Sequence, residues 1–371
     1  MNDTRKVPFF NYKFFHQQYG EELLSIMNDV LKRGAFILQN DLLEFEQQFA
    51  QYLGVKYAVG VANCTDGLLM ACRCADIAAG DEVILPSNTF VATAAAVHRT
   101  GAKPVLIECG EDHLMLPDAI EAAITKKTKA IMPVQLNGRV CNMDQIMQVA
   151  KKHNLFVIED AAQALGAKLD GKMAGTFGKA AAFSFYPAKV LGCFGDGGMV
   201  VTNEAEIAEK CLLQRDHGRN HEGEVVVWGG NSRLDNLQAA ILSFFLARFD
   251  EVIAKRRHIA SLYNDRLCNI QELLLPPAPS INSDHFDVFQ NYEIEAENRD
   301  ALQDYLKSVG IGTLRQWGGK AIHQFDQLGF DVHLPLTDRM ISRALMLPLN
   351  MSLTDEDVEY VCAHVQKFYH K

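Results

Sequence analysis

The chain has 371 residues, 48% hydrophobic and 22% charged, with a net charge of -10 at neutral pH. That allows a full globular core, arranged as two domains or as one large α/β domain with an appendage. The acidic balance argues against broad binding to nucleic acid or to an anionic membrane surface, and no apolar run reaches bilayer-spanning length.

The stretch Met1 to Lys6 is polar and lacks the apolar centre of a signal peptide. Nine scattered cysteines suit reduced core thiols, and Cys72-x-Cys74 has no histidine or second pair beside it, so no metal site is expected. A soluble cytoplasmic protein is the expectation.

Residues 18–53 carry a helical period, broken at Arg33-Gly34 into two helices. Residues 57–62 read as a strand. The turn Asn63-Cys-Thr-Asp66 and an apolar helix start follow. Strand, polar turn and helix start together form an anion site, because first-turn N–H groups lack intrahelical partners. An ordinary N-cap by Thr65 or Asp66 is the plainer alternative.

Strands are expected at 82–86, 104–107, 130–134 and 155–158, alternating with helices at 89–98, 117–125 and 143–153. Alternation at this spacing implies right-handed βαβ units around a largely parallel sheet. Ligands of such sheets sit beyond the carboxyl ends of the strands. The positions to inspect are therefore 63–66, 88–90, 135–137 and 160–163.

Further strands are expected at 178–184 and 199–202, pairing in the same sheet, with a helix at 205–215. Between the two strands lies Phe183-Ser-Phe-Tyr-Pro-Ala-Lys-Val-Leu-Gly-Cys-Phe-Gly-Asp-Gly-Gly198, with one lysine, Lys189, among small and apolar residues. Residues 216–232 form a long polar, glycine-rich loop, and 233–263 one long helix. A large domain over 1–250 and a small α+β domain over 251–371 are expected. The second holds strands at 286–296 and 311–317 and helices at 299–309, 337–347 and 354–369.

An amine (Lys189), a strand-end carboxylate (Asp160), an aromatic (Phe90), a hydroxyl (Ser184) and a helix start (Cys64, Thr65) meet the needs of pyridoxal 5'-phosphate. Its aldehyde must be held by a lysine and its ring nitrogen kept protonated by a carboxylate. One ring face needs an apolar platform, and the phosphate needs donors.

The chain resembles the DegT/StrS-type sugar aminotransferases over nearly its whole length, from Val7-Pro-Phe-Phe10 to the last helix. The motifs that carry the likeness are Gly80-Asp-Glu-Val-Ile84 with Pro86-Ser-Asn-Thr-Phe-Val-Ala-Thr-Ala94, Glu159-Asp-Ala-Ala-Gln-Ala164, residues 183–198, and Asn231-Ser-Arg-Leu-Asp-Asn-Leu-Gln-Ala-Ala240. The resemblance implies fold-type I: an aspartate-aminotransferase-like large domain and a smaller C-terminal domain. It also implies a homodimer with shared active sites.

Carried over by position, Lys189 holds the coenzyme and moves protons between substrate carbons. Asp160 pairs with the ring nitrogen, Gln163 bonds the ring-hydroxyl side, and Phe90 lies on the ring. Ser184 and main-chain amides near Cys64 and Thr65 hold the phosphate, with Asn231 reaching it from the neighbouring subunit. Tyr186, Trp317, Lys320 and His323 are candidate substrate contacts.

The implied reaction moves an amino group from L-glutamate to a nucleotide-linked keto sugar. The lysine at 189, where family dehydratases carry histidine, implies a transaminase. The Gly-Asp-Gly-Gly ending resembles members that aminate C3, implying a dTDP-linked 3-keto-6-deoxyhexose or a UDP-linked 3-keto sugar. A C4 aminotransferase is the alternative; an NAD-dependent oxidoreductase or a non-catalytic homologue is more distant. The chain departs from the family pattern at Cys64-Thr-Asp-Gly67 and at Arg315-Gln-Trp-Gly-Gly-Lys-Ala-Ile-His323.

Overall fold

The computed structural model describes residues 5–280 and 283–370; the first four residues of the polar N-terminal stretch lie outside them. Helices α1 (Lys13–Arg33) and α2 (Asn40–Leu53) flank the expected break, where Gly34 closes α1 in the left-handed region at φ 62. The alternating segment then builds β1 (Tyr57–Val61), α3 (Cys64–Cys74), β2 (Glu82–Pro86), α4 (Val91–His98) and β3 (Lys103–Ile107). It continues with α5 (Asp118–Ala123), β4 (Thr128–Ile131), α6 (Met143–His153) and β5 (Phe156–Asp160). A small hairpin, β6 (Lys168–Leu169) and β7 (Lys172–Met173), precedes β8 (Ala180–Ser184), β9 (Gly198–Thr202) and α7 (Ala205–Arg215).

Seven of these strands form one sheet in the order β1-β9-β8-β5-β4-β2-β3. Strands β3, β2, β4, β5 and β8 run parallel, and β9 lies antiparallel between β8 and β1. Helices cover both faces, which is why the strands read as nearly unbroken apolar runs. The fold is thus α/β around a mostly parallel sheet.

The helix expected over 233–263 is two: α8 (Asn236–Leu246) and α9 (Phe249–Leu267). Arg248 leaves helical geometry at φ -114 and ψ 11. Its guanidinium turns back to the Phe244 carbonyl at 2.9 Å and lies over the Phe244 ring. Phe249 and Ile253 of α9 pack into the main core, whereas Ile259, Tyr263 and Leu267 belong to a second apolar cluster. The division expected at residue 250 therefore falls on a helix that serves both cores.

The strand expected over 286–296 is two pieces, β11 (His285–Phe286) and β12 (Tyr292–Ala296), parted by a bend in which Phe289 has φ 51. Strand β12 is the centre of a three-stranded sheet between β10 (Leu273–Leu274) and β13 (Ala344–Leu347). Helix α10 (Arg299–Ser308) follows β12 as expected. No strand forms over 311–317. Ile311 and Leu314 make single bridges, and Gln316–Gly318 is a tight turn with Trp317 at φ 49.

Helix α11 (Pro335–Arg343) ends four residues before the expected 347, and the remaining residues are β13. Its apolar run Ala-Leu-Met-Leu is buried throughout, and periodicity does not separate such a run from a buried helix. The last helix, α12 (Asp355–Tyr369), begins at a capping box between Thr354 and Asp357.

Candidate active site

A cavity of about 550 Å³ opens at the carboxyl ends of the parallel strands. Cys64, Thr65, Phe90, Asp160, Gln163 and Ser184 line it from the main sheet, with Tyr186 and Lys189 from the β8–β9 connection. Asn291, Arg315, Gln316 and Trp317 line it from the second sheet's side.

The turn into α3 is capped by Asn63, whose side chain accepts the Asp66 N–H at 2.9 Å; neither Thr65 nor Asp66 is the cap. Cys64 and Thr65 thereby become the first helical residues, whose N–H groups lack intrahelical acceptors. Gly198 lies directly beneath. A Cβ there would stand 2.5 Å from the Asn63 carbonyl carbon and 2.7 Å from the Cys64 nitrogen, so any side chain would displace the turn.

Asp160 ends β5 and is 5% exposed. Thr93 donates to its Oδ2 at 2.7 Å and the Ala162 N–H to its Oδ1 at 3.2 Å. Burial pushes the carboxyl up, against those two bonds and the nearby Lys189. Burial likewise pushes the Lys189 ammonium down, against Cys64 and Asp160. The neighbouring Glu159 does not line the cavity. Fully buried, it accepts bonds from Gln135 and from the Gly175, Phe177 and Gly178 N–H groups, all at 2.7–2.8 Å.

Gln163 accepts the Asn137 N–H at 2.9 Å. Ser184 accepts the Tyr186 N–H at 3.3 Å. Phe90, at the start of α4, keeps half of its surface exposed and is free to meet a ligand. A half-buried amine, a buried carboxyl, an apolar ring and a helix start thus converge on one space.

Three expected residues stand outside it. Asn231 is exposed and bridges Asp216 at the base of the 216–232 loop. Lys320 is exposed, its Nζ 5.8 Å from the Phe325 ring centre. His323 bonds Ser87 at 2.6 Å and Asp338 at 2.9 Å inside the fold. The structure also brings in Asn137 and residues that pattern alone did not mark: Thr93, Gln290, Asn291, Arg315 and Gln316. Thr93 left a signal, a hydroxyl one turn beyond Thr89 inside the 86–94 motif. Asn137 lay within the strand-end positions inspected. Gln290, Asn291, Arg315 and Gln316 sit on irregular segments that read as strand.

The family model described as DegT/DnrJ/EryC1/StrS aminotransferase family matches residues 17–366. The chain is 40% identical over 368 residues to dTDP-3-amino-3,6-dideoxy-alpha-D-galactopyranose transaminase of Aneurinibacillus thermoaerophilus, covering 98% of this chain and 99% of that one. It is 39% identical over 367 residues to a pleiotropic regulatory protein of Geobacillus stearothermophilus, covering 98% of each. Among solved structures, S. venezuelae DesV superposes with a TM-score of 0.95 at 36% identity, covering 99% of this chain and 100% of DesV. Bacillus subtilis NtdA, solved with bound cofactor PMP, superposes with a TM-score of 0.89 at 30% identity, covering 99% of this chain and 86% of that one.

Proposed function

Because the chain belongs to the DegT/DnrJ/EryC1/StrS aminotransferase family, we propose that it moves an amino group from L-glutamate to C3 of a nucleotide-linked keto sugar. A dTDP-linked 3-keto-6-deoxyhexose is the first candidate and a UDP-linked 3-keto sugar the next. The observation that carries this reading is that the half-buried Lys189 and the buried Asp160 wall the same cavity. The 3-amino product in the name of the 40% identical relative favours C3 over C4. A purely regulatory role, which another relative's name suggests, would leave the facing amine and buried carboxyl of the cavity without use.

The residues fit pyridoxal 5'-phosphate. When bound, that coenzyme supplies an electron sink for the carbon that gains or loses nitrogen. Lys189, whose charged form burial disfavours, offers the amine to hold the coenzyme's aldehyde and to carry a proton between substrate carbons. Asp160, oriented by Thr93 and Ala162, holds the proton on the ring nitrogen. Phe90 covers a ring face, and Gln163 bonds the ring-hydroxyl side. The Cys64 and Thr65 N–H groups and the Ser184 hydroxyl hold the phosphate. At the opposite wall, Arg315 is the cation for a sugar-linked diphosphate in place of the exposed Lys320. Trp317 offers a face for a base or sugar and Tyr186 a hydroxyl.

We further infer a homodimer. The loop that carries Asn231 also presents Val225, Val226, Val227 and Trp228, the last 98% exposed. Four adjacent apolar side chains in water favour cover by a second copy, and that arrangement would bring Asn231 to the partner's phosphate. The nine free thiols favour the cytoplasm, and among the described residues no helix is long and apolar enough to cross a membrane.

The test is a half-reaction. The coenzyme-loaded protein mixed with L-glutamate should release one equivalent of 2-oxoglutarate per site and lose its yellow colour. A panel of 3-amino and 4-amino nucleotide sugars run in reverse should restore the colour with the 3-amino compounds. Colour restored by 4-amino sugars alone would overturn C3, and no release of 2-oxoglutarate would overturn the donor.

A further inference from the structure

We propose that Glu293 is a positioning residue that, together with the Asn137 main-chain N–H, sets the hydrogen-bond polarity of the cavity wall, so that Gln163 turns an N–H, and not its carbonyl, toward the bound coenzyme. This rests on the coenzyme reading above. Glu293 lies on β12, outside the cavity lining and 6% exposed. Three side chains converge on it: Gln316 Nε2 at 3.0 Å, Asn137 Nδ2 at 3.0 Å and His113 Nδ1 at 2.9 Å.

An ionised carboxylate only accepts. Asn137 and Gln316 must therefore turn their amino groups to it, which sends both carbonyl oxygens the other way. The Asn137 oxygen accepts from Gln316 Nε2 at 2.7 Å and from Asn291 Nδ2 at 2.9 Å. The Gln316 oxygen faces Gln163 Nε2 at 3.4 Å. The Gln163 oxygen is already engaged by the Asn137 N–H at 2.9 Å and by Asn291 at 3.3 Å. What Gln163 has left for the cavity is its second N–H. A donor there stabilises an anionic oxygen on the ligand.

The charge at the root of this relay is itself secured. His113 stands between Glu293 and Glu295, 3.4 Å from the latter, and Arg343 meets Glu295 from the end of α11 at 3.4 Å. Arg339, also on α11, adds a more distant positive charge. Burial works against ionising Glu293, but His113, Gln316 and Asn137 outweigh it and hold the group below the usual carboxylate range. With the amide of Glu293→Gln in its place, one oxygen cannot serve both Asn137 and Gln316. One of them must flip, and an N–H then meets an N–H along the relay.

The experiment titrates pyridoxal 5'-phosphate into the coenzyme-free protein and records affinity and the pH midpoint of the visible band. Variants are E293Q, Q163L and the double variant. E293Q should bind the coenzyme about tenfold more weakly, with the midpoint raised by about one pH unit because the anionic oxygen loses its donor. In the Q163L background E293Q should cost nothing further, since the relay ends there. A merely structural glutamate would weaken both backgrounds equally. Should E293Q fail to fold, Q316M, which breaks the relay at constant volume, is read the same way. An unchanged band and affinity in the folded variant, or equal losses in both backgrounds, would overturn the proposal alone. No band in the wild-type protein would overturn the coenzyme reading and the proposal together.

Discussion

Gln290 grips the main chain on both sides of Lys189. Its Nε2 donates to the Ala188 carbonyl and its Oε1 accepts the Val190 N–H, each at 2.8 Å. Gln290 is held in turn by the buried Arg256, which donates to the Phe289 carbonyl at 2.9 Å and the Gln290 carbonyl at 3.1 Å. A residue beside the second sheet thus fixes the segment that carries the amine of the main one. Replacing Gln290 with alanine should lower kcat roughly 10- to 100-fold, because a misplaced amine loses its line of attack. Steady-state kinetics on the folded variant checks this; an unchanged kcat would show that the grip does not position Lys189.

Asp160→Asn keeps the shape of the side chain, with its oxygen on the Ala162 N–H and its amino group donating to the Thr93 hydroxyl, but removes the charge proposed to hold a proton on the coenzyme ring. The expected outcome is a loss of at least about a hundredfold in kcat. Thermal unfolding should be little changed or slightly improved, since burial opposes the charge in the folded protein.

His113 should make the protein less stable at alkaline pH. Opposed by burial but favoured by Glu293 and Glu295, its folded-state pKa rises from the ordinary 6.5 to about 9. A raised value means that the folded state holds the proton more tightly. The contribution is complete below pH 6.5 and disappears as pH climbs through 9. Its size is about 3 kcal/mol. The lowered Glu293 expresses the same contact from its other side and is not counted again. Urea unfolding at a series of pH values from 6 upward, each against His113→Gln, checks this: the wild-type midpoint should fall over that range and the variant's should stay nearly flat.

Trp228→Ser should weaken self-association. A tryptophan 98% exposed in one chain and covered, in the proposed dimer, by a second copy would belong to the class of side chains whose loss costs about 2 kcal/mol or more, at least about 30-fold in dimer Kd. Sedimentation at a series of concentrations reads it. Equal Kd values for variant and wild type would remove this loop from the interface.

Much of the main sheet was legible because each of its parallel strands is buried on both faces and announces itself as a short apolar run between turns. The strand ends then pointed to Asp160 and Gln163, and Lys189 stood out as the one lysine among small and apolar residues between the last two strands. The second sheet was harder. Ala344–Leu347 is as apolar as a buried helix, and the Leu314–Trp317 segment pairs at single points and then turns. The polar relay was not legible, because His113 and Glu293 are 180 residues apart and meet only through the fold. Gln290 and Gln316 carry no periodic signal on the irregular stretches where they sit.

Reduction with borohydride followed by peptide mapping shows whether the amine of Lys189 carries the coenzyme. The expected result is one modified peptide per chain, with the pyridoxyl group on Lys189 and none after Lys189→Ala. A pyridoxyl group on any other lysine, or a protein that takes up no coenzyme, would mean that Lys189 is not the residue that anchors it.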